Sequence, residues 1–264
     1  MNSAMTHLSL EANLKVLRLP TFLKEYEDVA KESVRKNASY EDFLRDLSEK
    51  ELINKQSNAV QKRIKQAQFP VLKTLEAFDF KVAPKLNKKL VLDLSQGDFL
   101  ERHENIIALG NSGTGKTHIA TSIGLRACQL GKSVFFIQAS HLVHLLLEAQ
   151  EERHLLKLKK KLLSYDLLII DELGFVPFSK TGAELLFEIF SNRYEKGSVA
   201  ITSNLPFEEW PQIFGCERLT GALLDRLTHH VHILEMNGES FRLAASKKNR
   251  GTSKIAQREN EREK

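Results

Sequence analysis

Residues Gly110-Asn111-Ser112-Gly113-Thr114-Gly115-Lys116-Thr117 place glycine, lysine and a hydroxyl at the spacing G-x-x-x-x-G-K-[ST], the pattern of a phosphate-binding loop. Gly110, Gly113 and Gly115 let the backbone take turns closed to residues with a Cβ, so successive N–H groups can surround phosphate oxygens. Lys116 offers a point charge to β- and γ-phosphates, and Thr117 offers a hydroxyl to Mg²⁺. The setting is the required one, with an apolar run at 106–109 before the motif and a helical pattern from His118 to Gln129 after it. The expectation is that residues 110–118, His118 included, hold the phosphates of ATP, and that Lys116 also takes part in its hydrolysis.

A second constellation completes that chemistry. Leu167-Leu168-Ile169-Ile170 runs into Asp171-Glu172: a buried parallel strand reads this way, and ligands gather at the carboxyl ends of such strands. Asp171 is expected to share Mg²⁺ with Thr117, and Glu172 to orient and deprotonate a water attacking the γ-phosphate. Asn204 follows the next apolar run, 198–202. There it can hold the attacking water, although Asn204-Leu205-Pro206 is also ordinary turn chemistry. Arg218 and Arg226 lie on a helical segment further on. Phosphoryl transfer calls for positive charge at the γ-phosphate, often an arginine from a neighbouring subunit. The pattern alone does not separate such an arginine from a surface one.

The elements that must position these residues alternate. Strands are expected at 106–109, 134–138, 167–171, 199–203 and 231–234, with helices at 115–129, 140–163, 180–195 and 217–228. That alternation implies an α/β fold, a five-stranded parallel sheet with helices on both faces. The first 68 residues differ, reading as all helix: an apolar element stopped at Pro20, a second helix to Lys36, and a third opened by a capping box at Ser39-Tyr40-Glu41-Asp42. The later part of that third helix is polar on most sides and carries Lys55, Lys62, Arg63 and Lys65. This suits contact with nucleic acid or a partner, or a bridge through solvent. The division expected is therefore a small helical domain at 1–68, the nucleotide domain at 69–246 and a basic, flexible tail at 247–264.

The 264 residues carry a formal net charge of +5, and its location matters more than its size. Residues 1–68 hold 12 Lys/Arg against 10 Asp/Glu, the tail 7 against 3, and the middle 20 against 21. An excess lying outside the nucleotide domain points to a polyanionic partner. No apolar run reaches the length of a membrane span, and the first residues lack the layout of a secretory signal. Cys128 and Cys216 form neither a disulfide framework nor a zinc site, which suits the cytoplasm. His141 with His144, and His229, His230 and His232, lack zinc-like spacing. The basic amphipathic run 153–161 reads as a solvated helix face, with DNA phosphates as the alternative partner. Trp210 reads as core.

Taken together, these residues resemble the IstB-type transposition helper ATPases of insertion sequences, in the DnaC-like branch of the AAA+ family. The resemblance covers nearly the whole chain. Leu17-Arg18-Leu19-Pro20, Thr74-Leu75-Glu76-Ala77-Phe78-Asp79-Phe80, Ile169 to Phe175, Ala222 to Leu227 and Gly238-Glu239-Ser240-Phe241-Arg242 carry it beyond the two phosphate-handling motifs. It implies an AAA+ fold with a helical N-terminal domain, ATP-dependent self-assembly on duplex DNA through backbone contacts, and cooperation with the transposase of the same element. It also implies that the segment 74–80 reaches the nucleotide base, that Asn204 senses the γ-phosphate, and that Arg226 is an arginine finger acting on ATP held by the adjacent protomer. The role of Arg242 stays open. The nearest rival is a DnaC-like replicative helicase loader, which would grip a helicase through its N-terminal domain and meet single-stranded DNA. A monomeric small-molecule kinase is the rival from another class.

Overall fold

A computed structural model describes residues 2–238 and 240; the expected tail and Arg242 lie outside the described residues. The chain separates into two units, one up to Lys62 and one from Arg63 onward.

The first unit is helical. Helix α1 (Asn2–Val16) is followed by α2 (Pro20–Arg35) and α3 (Tyr40–Ala67), the last of which runs on into the second unit. Pro20 does more than end the first element: it occupies the opening turn of α2, where its missing N–H is not needed. The capping box forms as the sequence implies. Ser39 Oγ accepts from the Asp42 N–H at 3.1 Å, and the Asp42 carboxylate accepts from the Ser39 N–H at 3.3 Å. Leu14, Val29 and Leu47 are buried, and the Glu51 carboxylate of α3 accepts from the first-turn amides of α2, Thr21 at 2.8 Å and Phe22 at 3.3 Å. An acid at a helix N-terminus meets both unpaired N–H groups and the positive end of the macrodipole.

After the end of α3 and a single 3-10 turn at Phe80–Val82, the second unit continues with two short helices, α4 (Lys88–Leu94) and α5 (Asp98–Glu101). Then come β1 (Asn105–Leu109), α6 (Lys116–Gln129), β2 (Val134–Gln138), α7 (Ala139–Glu151), α8 (Leu155–Leu163), β3 (Leu167–Leu173), α9 (Lys180–Arg193) and β4 (Ser198–Ser203). Helices α10 (Trp210–Phe214) and α11 (Glu217–Thr228) lead to β5 (Val231–Glu235). The five strands form one parallel sheet in the order β2-β3-β4-β1-β5. Alternate residues feed two cores. Ile107, Leu168, Ile170 and Ile201 pack with α7, α9, α10 and α11, whereas Ile106, Ile169 and Ala200 pack with α4, α5 and α6. Burial on both faces is why these strands read as continuous apolar runs.

Two expectations change. The helix over 140–163 is broken: α7 ends and α8 begins around Arg153, which has φ 58°. The His154 N–H bonds to the Ala149 carbonyl at 3.0 Å and the Arg153 N–H to Gln150 at 3.3 Å, the paired bonds of a Schellman stop. An arginine takes the left-handed place that glycine usually marks, so the composition gave no sign of it. The basic run 153–161 is therefore a turn followed by a short helix, and Lys159 is paired with Glu188. Strand β3 also runs two residues beyond its expected end at Asp171, to Leu173, with an irregularity. Ile170 is level with Ile201 but Leu173 with Ser203, so one extra residue is accommodated, and Glu172 sits at φ 58°.

Asn105 begins β1 and joins three elements. Its side chain donates to the Leu227 carbonyl of α11 at 3.1 Å and accepts from the Val199 N–H of β4 at 3.0 Å. Arg193, 1% exposed, fastens the same end of the sheet by donating to the carbonyls of Leu162, Tyr165, Asp166 and Ser198. Burial pulls its guanidinium down to a pKa of about 10. Trp210 is fully buried and its indole N–H reaches the Leu205 carbonyl at 3.3 Å, so it is core as expected. Cys128 is buried and Cys216 exposed. Among the described residues, no helix is long and apolar enough to cross a membrane.

Candidate functional site

The loop after β1 turns back against the end of the sheet. At Gly110 (φ 151°) a Cβ would stand 2.2 Å from the Met236 carbonyl oxygen, and at Gly115 (φ 94°) 2.6 Å from the Phe78 ring. Both places need glycine for conformation and for space. Gly115 is the N-cap of α6, so the loop delivers its amides to the positive end of a helix of 14 residues. That is the arrangement that binds phosphate. Lys116 opens the helix and folds over the loop, its Nζ donating to the carbonyls of Gly110 at 2.6 Å and Asn111 at 2.8 Å. Thr114 is buried and its hydroxyl donates to Asn111 at 2.9 Å.

Behind the loop lies an oxygen cluster. Thr117 Oγ1 is 2.9 and 3.1 Å from the two carboxylate oxygens of Asp171, which is 4% exposed. Thr202, at the end of β4, donates to Asp171 Oδ1 at 2.5 Å while accepting from the Glu172 N–H at 2.9 Å. One hydroxyl thus fixes both acids. The Glu172 carboxylate accepts from Gln138 Nε2 at 3.1 Å. Gln138 can reach it because β2 and β3 are in register there, Gln138 opposite Asp171.

A cavity of about 450 Å³ runs across these groups. Ser112, Gly113, Thr114, Gly115, Lys116, Thr117 and His118 line one side, Glu172, Thr202 and Asn204 another, and Lys73, Ala77, Phe78 and Asp79 a third, with Phe175 at the rim. Its apolar end is set by Phe78, whose ring meets His118 edge-on at 5.2 Å. His118 Nε2 lies 2.8 Å from the Thr74 carbonyl; a carbonyl only accepts, so this nitrogen carries the proton. A cavity with an apolar pocket at one end and a glycine loop, lysine and acids at the other suits a nucleoside triphosphate by size and by chemistry.

The structure therefore gathers Lys116, Thr117, His118, Asp171, Glu172 and Asn204 at the carboxyl edge of the sheet. Gly110 and Asn111 support the loop without lining the cavity. Arg226 is elsewhere. It lies with Asn105 and His230 at the amino end of β1, its guanidinium 5.2 Å from the centre of the Phe187 ring and Nη1 donating to the Ala222 carbonyl at 2.8 Å. It is not part of its own chain's cavity. Arg218 is exposed on α11, as are His141 and His144 on α7. Gln138, Thr202 and Phe175 were not anticipated. The available signal was a polar residue ending an apolar strand, as at Gln138 and Thr202, which becomes informative once the strand order is known.

A parallel sheet ordered β2-β3-β4-β1-β5, with a glycine loop after β1 and an acid pair on β3, defines a P-loop ATPase of the AAA+ type. Solved structures share the fold: AMPPCP-bound DnaA from Aquifex aeolicus at TM-score 0.55 and 20% identity, covering 64% of this chain and 51% of that one. DnaI aligns at TM-score 0.50 and 14% identity, covering 64% of this chain and 89% of that one. Identities this low speak for the fold alone. The family model described as IstB-like ATP binding protein matches residues 12–249, and the chain belongs to that family. Relatives named for ATP binding come from insertion sequence IS21 of Pseudomonas aeruginosa, 36% identical over 90% of both chains, and from IS5376 of Geobacillus stearothermophilus, 38% identical over 86% of this chain and 90% of that one.

Proposed function

We propose that this ATPase self-assembles with ATP at its subunit interfaces, binds duplex DNA mainly through backbone phosphates, and assists the transposase of its own insertion sequence in the cytoplasm. The observation that carries the reading is one edge of one sheet presenting Lys116, Thr117, Glu172 and Asn204 around a cavity of nucleotide size, with Asp171 directly behind Thr117, in a chain whose relatives belong to insertion sequences. The helical residues 1–68 would serve DNA, partner or self-association, residues 69–246 the ATPase, and the basic tail 247–264 further phosphate contacts.

Each residue's part follows from its position. The loop amides and Lys116 bind and orient the β- and γ-phosphates. Thr117 and Asp171 are hard oxygen donors already side by side, which fits Mg²⁺. When bound, that ion supplies charge neutralisation at the phosphates. Glu172, at the open side of the cavity, takes the proton of the attacking water, and Asn204 positions that water. Arg226, turned away from its own cavity, is free of any task there and supplies its charge to the cavity of the neighbouring protomer.

Two variants test this. Lys116→Ala is expected to lose ATP binding and ATP-dependent assembly together. Glu172→Gln is expected to keep both and to lose turnover by about 10²-fold or more, in line with removal of a general base. Sedimentation with and without ATP and duplex DNA reads the assembly, and phosphate release reads turnover. A wild-type chain that stays monomeric with ATP and DNA, or a Glu172→Gln chain that hydrolyses normally, would end the proposal.

A further inference from the structure

At the opposite end of the sheet from the cavity, Glu195, His229 and His230 each place one ligand atom within 4.8 Å of the other two. We propose that these three residues form a binding site for a divalent cation of the zinc–cobalt–nickel class. The donor set is the first argument. Imidazole nitrogen suits zinc, copper and nickel over magnesium or calcium, and two histidines with one carboxylate leave a position for water. The placement is the second. Glu195 follows α9, and the two histidines form the turn between α11 and β5, so the ligands come from two separate elements that a cation would tie together.

Geometry allows closure. Tetrahedral zinc holds its ligand atoms about 3.4 Å apart, given bonds of about 2.1 Å. All three side chains are exposed, so rotamer changes can bring them in without moving the core. The Tyr194 hydroxyl lies 3.0 Å from His229 Nδ1, so Nε2 is the ring nitrogen left to a cation. A hydrogen-bond partner on the far nitrogen fixes the ring of a ligating imidazole, a place more often taken by a carboxylate, carbonyl or water and here by a phenol that accepts from Nδ1–H. The His229 and His230 rings lie 4.1 Å apart between centres. Two guanidiniums line the same small hollow as Glu195 and His230, and both have other partners. Arg226 is turned onto Phe187 and the Ala222 carbonyl, and Arg102 is paired with Glu104 at 2.8 Å. Neither takes the Glu195 carboxylate.

The consequence is mechanical. A cation here would staple the end of α9 to the end of the helix that carries Arg226. The 264-residue protein without nucleotide, titrated with Co²⁺, is expected to show saturable one-to-one binding with a nitrogen–oxygen visible spectrum lacking a thiolate band, reversed by Zn²⁺. Saturating Zn²⁺ is expected to raise Tm. The double variant His229→Ala/His230→Ala and the single variant Glu195→Gln are each expected to lose the spectrum and the Tm rise while keeping the metal-free Tm. Tyr194→Phe is expected to weaken binding about tenfold. A thiolate band, which would implicate Cys216, or an isotherm that the double variant and Glu195→Gln both leave unchanged, would overturn the assignment.

Discussion

Thr202 is the residue on which the two acids of the site depend. Its hydroxyl donates to Asp171 and accepts from the backbone of Glu172, so its loss frees one carboxylate and releases the strained turn that aims the other. Thr202→Val, close in shape, is expected to lower ATP turnover 10- to 100-fold, the usual effect of removing an outer-shell partner. It is also expected to raise the Mg²⁺ concentration needed for half-maximal rate. Thr202→Ser should restore most of both, and a purely structural role would leave the Mg²⁺ dependence unmoved. The glycine loop and the acid pair were legible because their chemistry is written in consecutive positions, 110–118 and 171–172. Thr202 and Gln138 were not, because they meet Glu172 only across strand neighbours distant in sequence. A polar residue at a strand end more often simply begins a turn.

The strands were legible as elements. Burial on both faces forces runs of apolar residues, and all five expected segments are strands. The break at Arg153 and the short helices α4, α5 and α10 were hidden for a common reason. Each is shorter than the period that betrays a helix, or stops without the usual marker: Gly97 before α5 and Pro211 and Gly215 at the ends of α10 read as plain turn chemistry until the packing is known. Arg193 belongs to this scale too. It joins the end of α8, the turn before β3 and the start of β4 through four carbonyls. Arg193→Ala is expected to destabilise the protein by roughly 3–5 kcal/mol, since buried carbonyls lose a charged donor and nothing replaces it. Chemical denaturation measures this; a change below about 1 kcal/mol, the scale of a single neutral hydrogen bond, would mean that water or neighbouring groups satisfy those carbonyls.

At the scale of the whole molecule, Arg226 and the nucleotide cavity occupy opposite ends of β1. The proposed assembly therefore makes a prediction that neither end makes alone. Arg226→Ala and Lys116→Ala are each expected to be inactive, yet a mixture should regain part of the turnover. Lys116→Ala protomers still offer a guanidinium, and Arg226→Ala protomers still hold ATP. Phosphate release from an equimolar mixture no greater than the sum of its parts would show that the arginine does not act between chains.

The hydrogen bonds of Asn105 to α11 and β4 acquire a larger meaning in that setting. They clamp the helix bearing Arg226 to the root of a strand, Asn105–Leu109, whose tip becomes the glycine loop. The strand is then a ruler. In the proposed assembly it would set the offset between where a copy receives its neighbour and where it reaches for the next, and repetition of one offset would fix the rise and rotation of the array. Whether such an array closes into a ring or continues as a screw is decided by that single step, so a fibre's pitch would be encoded in the stiffness of one short strand.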